Sequence, residues 1–114
     1  MTQKAALDPI REMTTKDDKG NAHSLSREVL VRAFIEWTRS REALNYGALG
    51  YRIDEQMGKV WQGQWNFGRA ADRMIQNLRK AGWIAKVEKG RGWQLTDKGR
   101  AAREELQREM SSKA

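Results

Sequence analysis

Residues 67–82, FGRAADRMIQNLRKAG, are the stretch of sequence that decides the fold. An α-helix turns by about 100° per residue, so residues three and four apart share a face. One face of this stretch is apolar, with Phe67, Ala70, Ala71, Met74, Leu78 and Ala81. The opposite face is polar and basic, with Arg69, Arg73, Gln76 and Lys80. The pattern predicts an amphipathic helix that ends near Gly82, because glycine readily adopts the left-handed conformation that stops helices.

A short basic β-hairpin is predicted directly after this helix. Residues 83–88, WIAKVE, and residues 93–96, WQLT, have the composition of strands, and the turn KGRG connects them. The segment 86–92, which we call the wing, carries Lys86, Lys89 and Arg91. We expect strands only in these two stretches.

Charge is concentrated in the same part of the chain. The protein has a net charge of +7. Residues 59–93 contribute eight basic and two acidic side chains, whereas the rest of the chain is close to neutral. A localised positive field of this kind is typical of a nucleic-acid-binding surface. The alternative is a surface that serves solubility alone, although such charge usually spreads more evenly.

Length and composition favour a binding protein over an enzyme. A chain of 114 residues fits one domain, and the absence of cysteine excludes disulfides, thiolate zinc sites and cysteine nucleophiles. The single histidine, His23, has no ligand partners in the sequence, so we expect it to be solvated and predict no metal site. Two pairs of neighbouring carboxylates, Glu104 with Glu105 and Asp17 with Asp18, lie on polar segments without signs of burial. We therefore predict no catalytic residues and no cofactor.

The sequence contains no long apolar segment. No apolar run approaches the roughly 18 residues of a membrane span, and the first residues lack the apolar block of a signal peptide. We therefore expect a cytoplasmic protein without a membrane partner.

The remaining segments complete a domain of residues 25–110. Residues 1–24 are polar and net neutral, so we expect a flexible N-terminal arm, and residues 111–114 are expected to fray. Ser26 is predicted to cap a first helix that runs to about Ser40, and Asn45 to cap a second helix from Tyr46 to about Met57. A last helix begins at Thr96 or Asp97 and runs to about Met110. The predicted inward residues of these three helices are Leu30, Ala33, Phe34, Trp37, Leu49, Ile53, Met57, Ala102, Leu106 and Met110. On the second helix, Tyr46 is the alternative to Met57.

Together these elements predict a mainly α fold with a small β-hairpin. Three helices, of which the third is basic, followed by a two-stranded wing and a C-terminal helix, make a winged helix-turn-helix. A helix about 10–12 Å across fits a major groove about 12 Å wide, and a two-stranded ribbon can reach the adjacent backbone or minor groove. Four or more strands in the structure would remove this interpretation.

Two segments carry a resemblance to a known family. Residues 77–84, NLRKAGWI, and residues 92–100, GWQLTDKGR, flank the short basic wing. This pattern resembles winged-helix proteins, most closely the N-terminal domain of Mrr-type restriction proteins. The resemblance implies DNA binding through the helix and the wing. It does not extend to cleavage, since the chain has no room for a nuclease domain and no Glu-x-Lys triplet.

We therefore expect a double-stranded DNA-binding protein, either a transcriptional regulator or an architectural protein of the nucleoid. The alternative is a winged-helix protein-interaction module of a larger nucleic-acid-processing assembly. RNA is a poorer match because its A-form major groove is too deep and narrow for a helix. A homodimer through the C-terminal or first helix is a further expectation, and Trp61 and Trp65 are expected to seal the core edge rather than stack on bases. The predicted DNA-binding residues are Asn66, Arg69, Arg73, Gln76, Arg79, Lys80, Lys86, Lys89 and Arg91.

Overall fold

A computed structural model describes residues 9–17, 19–39, 44–58, 67–88, 90 and 92–113. This part of the chain is mainly helical, with four helices and two small antiparallel hairpins. None of its helices is long and apolar enough to cross a membrane. The elements in chain order are β1 (Met13–Lys16), β2 (Ala22–Leu25), α1 (Arg27–Trp37), α2 (Tyr46–Gln56), α3 (Gly68–Lys80), β3 (Ile84–Lys86), β4 (Trp93–Leu95) and α4 (Asp97–Lys113).

Side-chain caps fix where three of the helices begin. Ser26 Oγ accepts a hydrogen bond from the Val29 N–H at 3.2 Å, and Asn45 Oδ1 accepts one from the Ala48 N–H at 2.7 Å. These bonds satisfy amides that have no partner inside their own helix, and they confirm both predicted caps. At α4 the cap is Thr96 rather than Asp97, because Thr96 Oγ1 accepts from the Gly99 N–H at 3.0 Å.

The core lies between the first three helices. The predicted inward residues of α1 are all buried, and so are Leu49 and Ile53 of α2. Met57 is half-buried, whereas the alternative Tyr46 is 44% exposed and does not face the core. On α3 the predicted face is buried except for the half-buried Ala81, and Ile75 is buried as well. Removing each large side chain from water contributes roughly 1.5–3 kcal/mol, so this interface is the main source of stability. The buried residues of α1 and α3 are Leu30, Val31, Ala33, Phe34, Trp37, Gly68, Ala70, Ala71, Met74, Ile75 and Leu78.

The prediction of a flexible N-terminal arm is wrong for most of that segment. Strands β1 and β2 pair antiparallel, with Met13 opposite Leu25 and Lys16 opposite Ala22. Ile10 and Leu25 are each only 1% exposed and belong to the same core as the helices. The segment is polar in sequence, but its few apolar side chains pack against helices that are distant in the chain. The free energy gained by this burial offsets the entropy lost when the segment becomes ordered. Residues 1–8 lie outside the described part of the chain.

The prediction of only two strands is also wrong, because the N-terminal hairpin brings the number of strands in the described residues to four. By number alone this meets the condition that we set against a winged helix. The two unexpected strands, however, form a hairpin of their own before α1. The order of three helices, a hairpin and a last helix that follows them is as predicted.

The turn of the N-terminal hairpin is organised by Asp17. Its Oδ1 accepts from the N–H groups of Lys19 and Asn21, both at 2.9 Å, and the His23 Nε2–H donates to its Oδ2 at 2.7 Å. The His23 hydrogen bond, aided by the two amides, lowers the pKa of Asp17 to about 2. The His23 ring also meets the Phe67 ring edge-on, with centroids 5.0 Å apart. The expectation that His23 is solvated is therefore wrong.

The last helix packs along α1. Arg27 of α1 pairs with Glu109 at 3.2 Å, and Arg103 donates to the main-chain oxygen of Thr38 at 2.6 Å, just past the end of α1. A cation at this position also interacts favourably with the helix dipole. The helix continues to Lys113, so residues 111–113 are helical rather than frayed. The predicted apolar strip of α4, through Leu106 and Met110, is buried within its own chain.

Candidate nucleic-acid interface

The exposed face of α3 is basic and lacks ion pairs within the described residues. Arg69, Arg73, Arg79 and Lys80 are exposed, whereas the opposite face of the helix is buried. None of these four side chains is paired with a described carboxylate. Gln76 is half-buried, and its Oε1 accepts from Arg79 Nε and a terminal nitrogen at 3.4 and 3.2 Å. The face therefore keeps its positive charges available to an outside anion.

Helix α2 holds the N-terminus of α3. Phe67 occupies the cap position of α3 and its side chain cannot accept a hydrogen bond. Asp54 of α2, which is 1% exposed, accepts from the main-chain N–H of Phe67 itself at 3.1 Å. A carboxylate here satisfies an otherwise unpaired amide and suits the positive end of the helix dipole. Nearby, the Tyr46 hydroxyl donates to the Gly68 carbonyl oxygen at 2.9 Å.

The C-terminus of α3 is closed by Gly82, as predicted. Gly82 has φ +79°, its N–H donates to Arg79 O at 3.0 Å, and the Trp83 N–H donates to Leu78 O at 3.0 Å. These two bonds define a Schellman motif. The Thr96 hydroxyl then donates to the Gly82 carbonyl oxygen at 2.6 Å. One threonine thus joins the end of α3 to the start of α4.

The hairpin β3–β4 follows α3 directly and is anchored from a third segment. Ile84 lies opposite Leu95, and Lys86 lies opposite Trp93. The main chain of Leu44, just before α2, exchanges two hydrogen bonds with Trp93, of 2.8 and 2.7 Å. Lys86 is exposed, and its Nζ lies 5.3 Å from the centroid of the Trp93 ring, within the range of a cation–π interaction. The bridge from Leu44 ties the hairpin to the helical core.

Gly99 allows α4 to approach the hairpin closely. A Cβ atom at this position would lie 2.1 Å from the Trp83 carbonyl oxygen and 2.7 Å from Leu95 Cδ1. No other residue fits without moving the main chain. The sequence Leu-Thr-Asp-x-Gly at residues 95–99 therefore has a structural explanation, because Thr96 caps α4 and bonds the Gly82 carbonyl while Gly99 makes room for Trp83.

Six of the predicted DNA-binding residues lie in the described part of the chain. Five of them share the solvent-facing side of α3, and Lys86 is on the strand that follows. The structure also adds two supporting residues that the sequence did not reveal as such, Asp54 and Leu44. Predicted residues that lie outside the described part are Asn66, Lys89 and Arg91, together with Trp61 and Trp65.

A cluster of metal ligands is not found in the described ranges. No group of three histidine, aspartate or glutamate side chains there is arranged to hold a metal ion. Comparison with protein-family models, with curated proteins and with solved structures found no significant match to this chain. The resemblance to the N-terminal domain of Mrr-type restriction proteins therefore stays a prediction.

Proposed function

We propose that this chain is a winged helix-turn-helix protein that binds double-stranded DNA. In this proposal α3 enters the major groove and the wing contacts the backbone or the minor groove beside it. The order of α1, α2, α3 and the hairpin supports the architecture. So does the bridge from Leu44 to Trp93, which attaches the hairpin to the helices.

The observation that carries the proposal is the combination of a basic face and fixed ends on α3. Four cationic side chains face solvent without ion pairs to described residues. Asp54 holds one end of the helix, and the Schellman motif with Thr96 holds the other. A charged surface fixed before binding loses less conformational freedom on association. This favours a specific binding surface over a merely solubilising one.

The side chains have two roles in the proposed complex. Arg69, Arg73 and Gln76 lie where a helix in the groove meets base edges, with arginine suited to guanine and glutamine to adenine. The phosphate contacts are assigned to five side chains, which are Arg79, Lys80, Lys86, Lys89 and Arg91. In the unbound structure the Gln76 oxygen accepts from Arg79, so base recognition by Gln76 requires that bond to open.

A salt titration of duplex affinity tests the proposal. Five phosphate contacts predict that log affinity falls with log salt at a slope of about −4.5. Lys86→Ala should flatten the slope by about one and weaken all duplexes alike. Arg108→Ala removes the same charge from the exposed side of α4 and should leave the slope unchanged. Absence of duplex binding by the parent protein at low salt would refute DNA binding and favour the protein-interaction module.

A selection from genomic fragments then separates the two kinds of DNA-binding protein. Strong enrichment of a few fragments would identify a regulator, whereas uniform binding would identify an architectural protein. For a regulator, Arg69→Ala and Arg73→Ala should each relax the preference by about 1–3 kcal/mol while the fold persists.

A further inference from the structure

The basic face of α3 contains one carboxylate, Asp72. This residue is exposed and lies about 60° around the helix from Arg69 and about 40° from Gln76. It makes no hydrogen bond or ion pair with any residue that the structure describes. An acid without a described partner therefore lies among the side chains that we assign to DNA.

The acids of α1 and α2 differ from Asp72 in this respect, whereas the exposed Glu104 of α4 also has no partner among the described residues. Every carboxylate of α1 and α2 has a partner, and the pair of Arg52 and Glu55 has the same order and spacing as Arg69 and Asp72. Arg52 and Glu55 are 3.1 Å apart. An arginine and an acid at this spacing can thus form an ion pair, but Arg69 and Asp72 do not. Asp72 is also beyond the first turn of α3, where an acid would benefit from the helix dipole.

Electrostatics limits what Asp72 can face in a complex with DNA. A carboxylate is repelled by phosphates, so it is tolerated on a helix in the groove only where it meets base edges. An ionised carboxylate accepts hydrogen bonds and donates none. The donors in the major groove are the amino groups of cytosine and adenine. In adenine the neighbouring N7 is an acceptor, which a carboxylate repels, so cytosine is the better partner.

We propose that Asp72 is a specificity-determining residue that accepts a hydrogen bond from the amino group of a cytosine. This inference rests on the proposed DNA binding and adds the class of sequence that is recognised. Arg69 and Arg73 are suited to guanine, and they lie within the same two turns of α3 as Asp72. The DNA site under the N-terminal half of α3 therefore contains G·C base pairs, with a cytosine at the position that Asp72 meets.

The test compares base preference in a randomised duplex library for the parent protein and for Asp72→Asn and Asp72→Ala. The parent should require cytosine at one position. Asp72→Asn should change that preference toward adenine, which asparagine contacts with two hydrogen bonds, and Asp72→Ala should abolish it, each by about five- to tenfold. Glu104→Gln makes the same change in charge at an exposed residue of α4 and should leave every preference unaltered.

Three other results would contradict the proposed role of Asp72. If both Asp72 variants bind all duplexes more tightly by one factor, with preferences unchanged, Asp72 only repels phosphates. If the parent binds duplexes without any preference, there is no specificity for Asp72 to determine. If the parent binds no duplex at all, the proposed function itself fails. Because Asp72 is exposed, thermal melts of the variants should match the parent.

Discussion

Replacing Gly99 with alanine sets two effects of opposite sign against each other. Gly99 lies inside α4, where alanine is favoured over glycine by about 0.5–1 kcal/mol. The new Cβ, however, would lie 2.1 Å from the Trp83 carbonyl oxygen and 2.9 Å from its carbonyl carbon. Carbon–oxygen contacts are normally at about 3.3 Å or more, so the main chain must move by about 1 Å.

The required shift of the main chain decides whether Gly99→Ala stabilises or destabilises the protein. Trp83 presents main-chain atoms to the new methyl group, and these cannot rotate away as a side chain could. Overpacking costs about 1–3 kcal/mol, and loss of the Thr96 bond to Gly82 adds about 1 kcal/mol. After the gain in helix propensity is subtracted, we expect a net loss of about 2 kcal/mol. For a domain of this size that corresponds to a fall in Tm of about 8 °C.

Thermal and urea unfolding followed by circular dichroism measure this loss. Ala101→Gly, at an exposed position of the same helix, calibrates helix propensity and should cost about 1 kcal/mol. If Gly99→Ala is as stable as the parent, or more stable, α4 does not contact the hairpin at this distance and the reasoning fails.

Three further predictions concern the rest of the fold. Ile10→Ala should lower the free energy of unfolding by about 2–4 kcal/mol in urea titrations, whereas an unchanged midpoint would show that residues before β1 do not dock. Asp17 has a folded pKa of about 2 against an ordinary 3.8, so its carboxylate stabilises the fold above about pH 4 and this contribution is lost as pH falls through 2. The difference in stability between the parent and Asp17→Asn should accordingly be largest above about pH 4 and shrink as the pH falls through 2. A difference that does not vary with pH would contradict this. Asp54→Ala leaves the Phe67 N–H without its acceptor, which should cost about 1–3 kcal/mol and weaken duplex binding, and protection of that amide against hydrogen exchange should fall; retained protection would rule out the cap.

The helices were predictable because their signals are local. Ser26 and Asn45 each precede an amphipathic run, and both cap as expected. The stripe of α3 and the stop at Gly82 follow from periodicity and from the preference of glycine for positive φ. Signals of this kind require only neighbours within a few residues.

The N-terminal hairpin was not predictable in the same way. Its residues are polar, and β1 has only Met13 as a large apolar side chain. What stabilises the segment is the burial of Ile10 and Leu25 in the helical core, an interaction with residues far along the chain. Periodicity within a short window does not report such contacts.

The burial of Asp54 is not visible in the sequence, because charged side chains are rarely buried and no local pattern marks this one. The available signal was indirect. The main-chain N–H of Phe67, just before α3, has no acceptor within its own helix, so its acceptor comes from elsewhere in the fold. The bridge between Leu44 and Trp93 likewise joins residues 49 apart in sequence, and Leu44 lies outside both predicted strands.

The contacts between α1 and α4 connect residues that are far apart in the chain, and any second copy of the protein could supply the same partners. If α4 swung out about the junction at Thr96, its Leu106 and Met110 could pack on α1 of another molecule and form a domain-swapped dimer, for which an exchanged terminal element is the usual route. The hydroxyl bond from Thr96 to Gly82 and the close fit of Gly99 hold that junction in one conformation. The same small motif that orients the hairpin therefore also keeps the last helix on its own chain, and loosening it should produce dimers that accumulate with protein concentration.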